Sequence, residues 1–272
     1  GAVALGTMNF CGTYGETTQD QALRCMAECL NLGVDHFDTS NVYGMGRAEA
    51  LLSRFLKHHR HRVVLASKCG ITRNPDHPFD NSADHMRQAL EDSLRRLGVE
   101  RIDLYYLHRH EVARPIEEVM QVLLRFRDEG KIGAVGLSEV SPATLQRARA
   151  VGPVAAVQSE YSLWTRQVEL GMLQATGRGD AALVAFSALG RGVLSGAIPD
   201  PSTFGKTDLR QAMPRFSAEN WPHNLVRLRA FQDFARDIGH DPASLAIAWL
   251  LSRGPHVIAL PGSRSPDHMR AN

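Results

Sequence analysis

Asp38 and Tyr43 stand five positions apart in "FDTSNVYGMGRAE", Phe37 to Glu49, where a strand-like run gives way to what reads as a helix start. Two more polar residues end apolar runs in the same way: Lys68 closes "RVVLASK" and His108 closes "IDLYYLH". These four types suit proton transfer to a carbonyl oxygen. A free tyrosine titrates near pH ~10, too high for an efficient acid–base group near neutrality. An ammonium beside it favours the phenolate and lowers that value. Lys68 can supply the charge, Asp38 can hold Lys68 in an ion pair, and His108 can donate a hydrogen bond that orients the substrate oxygen. Each also has an ordinary alternative: Asp38 as a turn cap, Lys68 reaching solvent, Tyr43 as a core ring with a wet hydroxyl, His108 at the surface between basic neighbours. Taken together at successive strand ends, the functional reading wins. What the four lack is a source of electrons.

Convergence requires a scaffold. Short apolar runs recur at Ala2–Leu5, Val34–Ser40, Arg62–Lys68, Ile102–His108, Ile132–Ser138, Val154–Glu160, Ala182–Ala188 and His256–Leu260, rich in Val, Ile and Tyr as buried strands are. Helical patterns run between them. Thr18 caps one ending at Gly33, Ser82 one ending at Gly98, Pro115 opens one stopped by Gly130, and Ser141-Pro142 starts another through Ala150. Two more lie around Leu225–Ile238 and Pro242–Ser252. Eight strands alternating with helices predict an α/β, (β/α)8 TIM-type barrel in one domain over residues 1–272, with a doubly wound sheet as the rival. In such a barrel the C-terminal strand ends meet at one mouth. Gly196 to Pro222, with four prolines, is the longest weakly patterned stretch, and a loop of that length in a compact domain is more often functional than idle.

Bulk properties exclude several classes. The chain has 272 residues, 43% hydrophobic and 22% charged, with 31 basic against 29 acidic residues for a net charge of +2. That balance gives no reason to expect nucleic acid or an anionic membrane as the main partner, and "KHHRHR", Lys57 to Arg62, reads as a solvated helix end. No apolar run approaches a membrane span and no signal peptide is visible. Cys11, Cys25, Cys29 and Cys69 fit no zinc or redox spacing, which points to a reducing, cytoplasmic compartment. "HRH", His108 to His110, has no third metal ligand at a useful spacing, so no metal is expected. Gly190-Arg191-Gly192 is not a dinucleotide fingerprint, because the wider glycine spacing is missing. The chain begins at Gly1 and stops at Asn272, so either end can be incomplete.

In order along the chain, "FDTSNVYG", "ASK", "YYLHRH", "GLSEV", "QSEYSLWTR", "AFSALGRGVLSG" and "LPGSRSPDHMRAN" resemble the successive signatures of the aldo-keto reductases. The resemblance covers nearly the whole chain. It implies NADPH bound in extended form, hydride transfer from nicotinamide C4 to a carbonyl carbon, and the tetrad Asp38, Tyr43, Lys68 and His108, with Tyr43 as general acid. By the same resemblance Ser138, Glu139 and Gln158 would hold the carboxamide, Phe186 would stack on nicotinamide, and Thr7 and Met8 would line its ribose. Ser187, Leu189, Gly190, Arg191 and Gly192 would form the pyrophosphate loop, with backbone amides and the Arg191 guanidinium on the phosphates. Gly262, Ser263 and Arg264 would begin the last helix and meet a 2′-phosphate, which favours NADPH over NADH. His268 and Asn272 would contact adenosine.

The departures are specific. Glu139 stands where asparagine is frequent, and its acid cannot donate an amide hydrogen bond. Ala271 replaces a frequent glutamate, and Phe186 a commoner tyrosine. "EYSLWTR" resembles the branch of potassium-channel β subunits and bacterial sugar or pyridoxal reductases, with Tyr161 as packing or pocket wall. The expected function is reduction of a small aldehyde or ketone, and oligomeric state is unreadable. The alternative is an NADP(H)-binding regulatory subunit acting through a protein partner. Trp164, Trp221, Tyr14 and Arg109 are candidates to line the substrate pocket, and the basic run at His108 to His110 favours a polar or anionic aldehyde.

Overall fold

The eight apolar runs pair in chain order. In a computed structural model, which describes residues 1–179, 181–205 and 208–272, they form one parallel sheet ordered β1 to β8. The strands are β1 Ala4–Gly6, β2 His36–Asp38, β3 Val64–Cys69, β4 Ile102–Leu107, β5 Ile132–Ser138, β6 Ala156–Glu160, β7 Ala182–Phe186 and β8 Val257–Leu260. Parallel bridges Val3↔Ala259 and Gly6↔Gly262 return β8 to β1 and close a barrel. The doubly wound alternative is thereby removed. Most strands are a residue or two shorter than their apolar runs, because the flanking residues continue the chain without ladder partners.

Nine α-helices lie among the described residues. They are α1 Gln19–Asn31, α2 Arg47–His59, α3 Ala83–Leu97, α4 Ile116–Asp128, α5 Pro142–Val151, α6 Met172–Gly177, α7 Trp221–Asp237, α8 Pro242–Leu251 and α9 Pro266–Ala271. Thr18 accepts from the Gln21 amide while the Gln21 side chain accepts from Thr18, a reciprocal cap that sets the start of α1. Ser82, Ser141 and Asp241 cap α3, α5 and α8 with their side chains. No described helix is long and apolar enough to cross a membrane.

Strand alternation sorts the side chains into two cores. One set, including Leu5, Phe37, Leu65, Tyr105, Leu137, Val157 and Leu183, packs between sheet and helices. The other, Ala4, Ala66, Leu104, Tyr106, Ala156, Val184 and Leu260, fills the barrel. Asp38, Lys68, Ser138, Gln158 and Phe186 share the parity of this inner set and sit at its C-terminal edge. The period-two pattern that builds the barrel therefore also aims these side chains at its mouth.

The Gly196–Pro222 stretch is less featureless than its composition suggests. It holds 3-10 turns at Pro201–Thr203, Leu209–Ala212 and Pro214–Phe216, and it runs into α7, which begins at Trp221 rather than Leu225. Phe216 anchors it, with ring centroids 5.3 Å from Phe204 and 5.5 Å from Trp221. Lys206 and Thr207 of this stretch lie outside the described residues.

Candidate active site

At the mouth, β2, β3 and β4 end side by side, with Asp38 paired to Ala66 and Lys68 to Tyr106 across the ladders. The Lys68 side chain is fully buried and donates to the Asp38 carboxylate and to the Thr39 carbonyl at 2.7 Å. Gln158 Nε2 donates to the other Asp38 oxygen at 2.9 Å. Thr7 pins the same strand end, with its amide and hydroxyl both on the Asp38 carbonyl. Burial pulls Lys68 down, but Asp38 and then Tyr43 outweigh it and hold the ammonium above the ordinary lysine value.

Tyr43 follows on the turn after β2. Its ring lies 5.1 Å from Lys68 Nζ and edge-on to His108 at 5.9 Å between centroids. Burial raises the phenol pKa, and the Lys68 ammonium opposes this without reversing it. The lowered value expected from the residue types is therefore corrected: desolvation wins. Tyr43 carries its proton through neutrality. His108 is held well below the ordinary imidazole range by burial, then by Lys68 and Arg109, so its ring is neutral. Ser40 Oγ lies 3.2 Å from His108 Nδ1 and 3.3 Å from Asn41 Oδ1; with its hydroxyl proton on Nδ1 rather than on Asn41, the ring proton sits on Nε2.

A cleft of about 320 Å³ opens over this group. Its lining includes Met8, Asp38, Tyr43, His108 and Arg109 together with Ser138, Gln158, Phe186, Tyr14 and the Ser187–Gly192 loop. Lys68 sits behind this wall, reached through Asp38 and Tyr43. Arg191 and Ser187 adopt left-handed backbone, as do Gly190 and Gly192, which folds the loop tightly against the cleft. Arg191 donates to the Tyr14 hydroxyl at 3.0 Å and to Glu160 at 3.3 Å, and its buried Nε has no partner among the described residues.

Several residues assigned by resemblance sit elsewhere. Thr7 is buried beneath the cleft and acts on Asp38, so only Met8 of that pair lines it. Gly190 and Gly192 turn their amides onto the Ser187 and Leu189 carbonyls, so those two donors are not free for a phosphate. Glu139, in left-handed backbone with φ 55°, points its carboxylate away to accept from the Glu160 amide at 2.7 Å. Gly262 lines the cleft, but the last helix starts at Pro266, so Gly262, Ser263 and Arg264 form the turn before it. Arg264 lies against Gly15 and donates to the Glu16 carbonyl at 3.0 Å. His268 and Asn272 lie outside the cleft lining. Tyr161 is buried with its hydroxyl on Glu169, Trp164 and Trp221 pack in a side cluster, and only Tyr14 and Arg109 of the four substrate candidates line the cleft.

Asn9 and Arg210 line the cleft without having been singled out. Arg210 comes from the proline-rich stretch and lies 5.1 Å from the Tyr14 ring; an arginine in a long loop was the available signal. Among the described residues, no group of three His, Cys, Asp or Glu side chains is placed to hold a metal.

The model of the aldo/keto reductase family matches residues 2–272. The chain belongs to that family. This aldo/keto reductase is 34% identical over 279 residues to the NADP(+) aldo-keto reductase yakc of Schizosaccharomyces pombe, covering all of this chain and 82% of that one. It is 35% identical over 274 residues to probable aldo-keto reductase 1 of Glycine max, covering 99% and 79%. In structure it is similar to a glycerol dehydrogenase from Gluconobacter oxydans, with 33% identity, a TM-score of 0.87, and coverage of 99% and 84%. An aldo/keto reductase from Klebsiella pneumoniae, solved with NADP and acetate, superposes with a TM-score of 0.75 at 25% identity, covering 100% and 84%.

Proposed function

We propose that this aldo/keto reductase is an NADPH-dependent enzyme that reduces aldehydes or ketones to alcohols, with Tyr43 as general acid. The observation that carries the reading is the convergence of Asp38, Tyr43, Lys68 and His108 at one strand-end wall, with a buried ammonium behind the phenol. The names of the Schizosaccharomyces and Klebsiella relatives support NADP as the cofactor.

The residues present fit that cofactor. The unpartnered Nε of Arg191 supplies a cation for the pyrophosphate, Ser138 and Gln158 supply polar groups for the carboxamide, and Phe186 supplies a ring face. Gln158 gives one Nε2 hydrogen to Asp38, and its Oε1 would accept from the carboxamide nitrogen, which ties the cofactor end to the ion pair. Arg264 is the cation for the 2′-phosphate through its guanidinium alone. When bound, the nicotinamide supplies a hydride to the carbonyl carbon.

The protein's own part is proton transfer and orientation. Tyr43, protonated near neutrality, donates to the carbonyl oxygen as negative charge grows there. Lys68 stabilises the phenolate left behind, and Asp38 keeps Lys68 in place. Neutral His108 donates from Nε2 and fixes the direction of the carbonyl. The test is Tyr43→Phe, followed by NADPH oxidation with an aldehyde panel and by NADPH fluorescence titration. The expected result is loss of more than about a hundredfold in turnover with cofactor binding nearly intact. A variant that keeps more than about a tenth of wild-type reduction removes Tyr43 from the acid role. NADPH binding by the wild type with no turnover on any aldehyde transfers the reading to the regulatory subunit.

A further inference from the structure

Most cationic side chains at the cleft already have a counterion. Lys68 pairs with Asp38, Arg191 with Glu160 at 3.3 Å, and Arg210 with Asp208 at 2.7 Å. Arg109 differs. It follows His108 at the end of β4 and lines the cleft beside His108 and Tyr43. Its Nη1 donates to the His108 carbonyl at 2.7 Å and to Ser138 Oγ at 3.0 Å, both neutral acceptors. Among the described residues no carboxylate lies within ion-pair distance of it, and its Nε and Nη2 have no hydrogen-bond partner.

Arg109 is half-buried and lines an open cleft, so its free donors can pair with a ligand charge that enters there. The two contacts to Nη1 also hold the guanidinium in one place, so its remaining donors face a fixed direction. Planar guanidinium donors match a carboxylate or phosphate in a two-bond fork. Arg191 and Arg210 gather instead around Tyr14, at the Ser187–Gly192 loop, and Arg191 is already assigned to the cofactor. Arg191 shares Glu160 with Arg215 at 3.0 Å, so positive charge is in excess at that loop as well, but Arg109 is the cleft arginine that adjoins His108, where the reacting carbonyl would sit.

We propose that Arg109 is a specificity-determining residue that binds an anionic substituent of the substrate, so that this enzyme selects carbonyl compounds carrying a carboxylate or a phosphate. The proposal rests on the reductase reading above, and it is tested by two measurements that separate the two. The first compares kcat/KM at saturating NADPH for 4-carboxybenzaldehyde against 4-methylbenzaldehyde, and for glyceraldehyde 3-phosphate against glyceraldehyde, in wild type and Arg109→Gln. Wild type favours the anionic member of at least one pair by about ten- to a hundredfold, the worth of a charge-assisted hydrogen bond. The pair that shows it separates carboxylate from phosphate recognition. In Arg109→Gln the ratio falls to near one, with the loss concentrated in KM of the anionic member, and Arg109→Lys keeps part of it. The second measurement is calorimetric titration of the NADP+-bound protein with 4-(hydroxymethyl)benzoate and with glycerol 3-phosphate, one of which binds about ten- to a hundredfold more weakly to Arg109→Gln.

A wild type that favours the neutral members, or a ratio unchanged by Arg109→Gln, overturns the proposal. So does an equal loss for both members with weakened NADPH binding, which would place Arg109 on the cofactor side through Ser138. Arg109-dependent binding of either anion without turnover of any aldehyde upholds the anion site and sinks the reductase reading.

Discussion

Replacing Asp38 by asparagine tests whether the ion pair is the strut that the site is built on. Lys68 is 0% exposed and Asp38 2%, so solvent cannot compensate either charge. Removing one partner of a buried pair costs about 3–5 kcal/mol, because the survivor is left charged and dry. Here the two Asp38 oxygens serve two donors, Lys68 Nζ and Gln158 Nε2. An asparagine keeps one acceptor, so one donor loses its partner unless the Gln158 amide turns over. The expected loss is about 4 kcal/mol, a large fraction of the roughly 5–15 kcal/mol that holds a domain folded. Urea unfolding at pH 7 measures it. The decisive comparison is Asp38→Asn combined with Lys68→Met, which removes the stranded charge and recovers most of the loss. The pH dependence has a defined sign. In the wild type the raised Lys68 pKa contributes stability that is full below the unfolded value of about 10.4 and is lost as pH rises through the folded value. In Asp38→Asn burial acts on Lys68 with less opposition and pulls its pKa below the unfolded one, so that variant gains stability as pH rises toward about 10.4. The gap between them therefore closes in alkali. A loss under about 1 kcal/mol, or a double variant no more stable than the single, refutes the argument, because the stranded charge would then not be the source.

Three other outcomes follow from single contacts. A Cβ on Gly136 would stand 2.3 Å from Tyr106 Cδ1, and the Tyr106 ring in turn lies 5.8 Å from Lys68 Nζ. Gly136→Ala is therefore expected to cost about 1–3 kcal/mol in urea unfolding and to slow turnover by displacing Lys68, while Tyr106→Leu in the same chain relieves the stability loss; unchanged stability in Gly136→Ala denies the clash. Arg264→Ala is expected to weaken NADPH binding by about tenfold or more and to spare NADH, read by fluorescence titration; equal losses remove Arg264 from the 2′-phosphate. His36 and His108 are both held below the ordinary imidazole value, chiefly by burial. Their contribution to stability is present above the unfolded value of about 6.5 and is lost as pH falls, so urea midpoints should drop between pH 7 and pH 5.5, and less so in His36→Gln. An equal drop in that variant shows that His36 does not charge on unfolding.

The barrel was readable because its signals are local. Ile132–Ser138 carries its strand in seven consecutive residues, and Thr18, Ser82 and Ser141 mark helix starts by side chains that act within three positions. Parity then takes Asp38, Lys68, Ser138, Gln158 and Phe186 to one mouth with no knowledge of packing. Residues whose placement depends on distant neighbours were not readable. Thr7 turns from a cofactor contact into a clamp on Asp38, 31 residues away in sequence. Glu139 finds the Glu160 amide, 21 residues on, and leaves the cleft. Arg210 reaches the mouth because the proline-rich stretch folds back on Phe216, which no periodic pattern announces.

Tyr43 shows the same division within one residue. Its charged neighbours were legible, since Asp38 precedes it by five positions and Lys68 closes the next apolar run; on those grounds alone the phenol should be acidified. Burial is a property of the whole mouth, contributed by β2, β3, β4 and the turn that carries Tyr43, and it acts on the phenolate in the opposite sense. The two effects divide the labour between resting and reacting states. Burial holds the proton on the resting phenol, and in the proposed mechanism it leaves only as a carbonyl oxygen takes negative charge. In that mechanism Lys68, held cationic by Asp38, would limit the cost of the phenolate that remains. A lysine without its aspartate would face the same burial and tend to lose its proton first, so the proposed acid role of Tyr43 depends on a carboxylate that donates no proton itself.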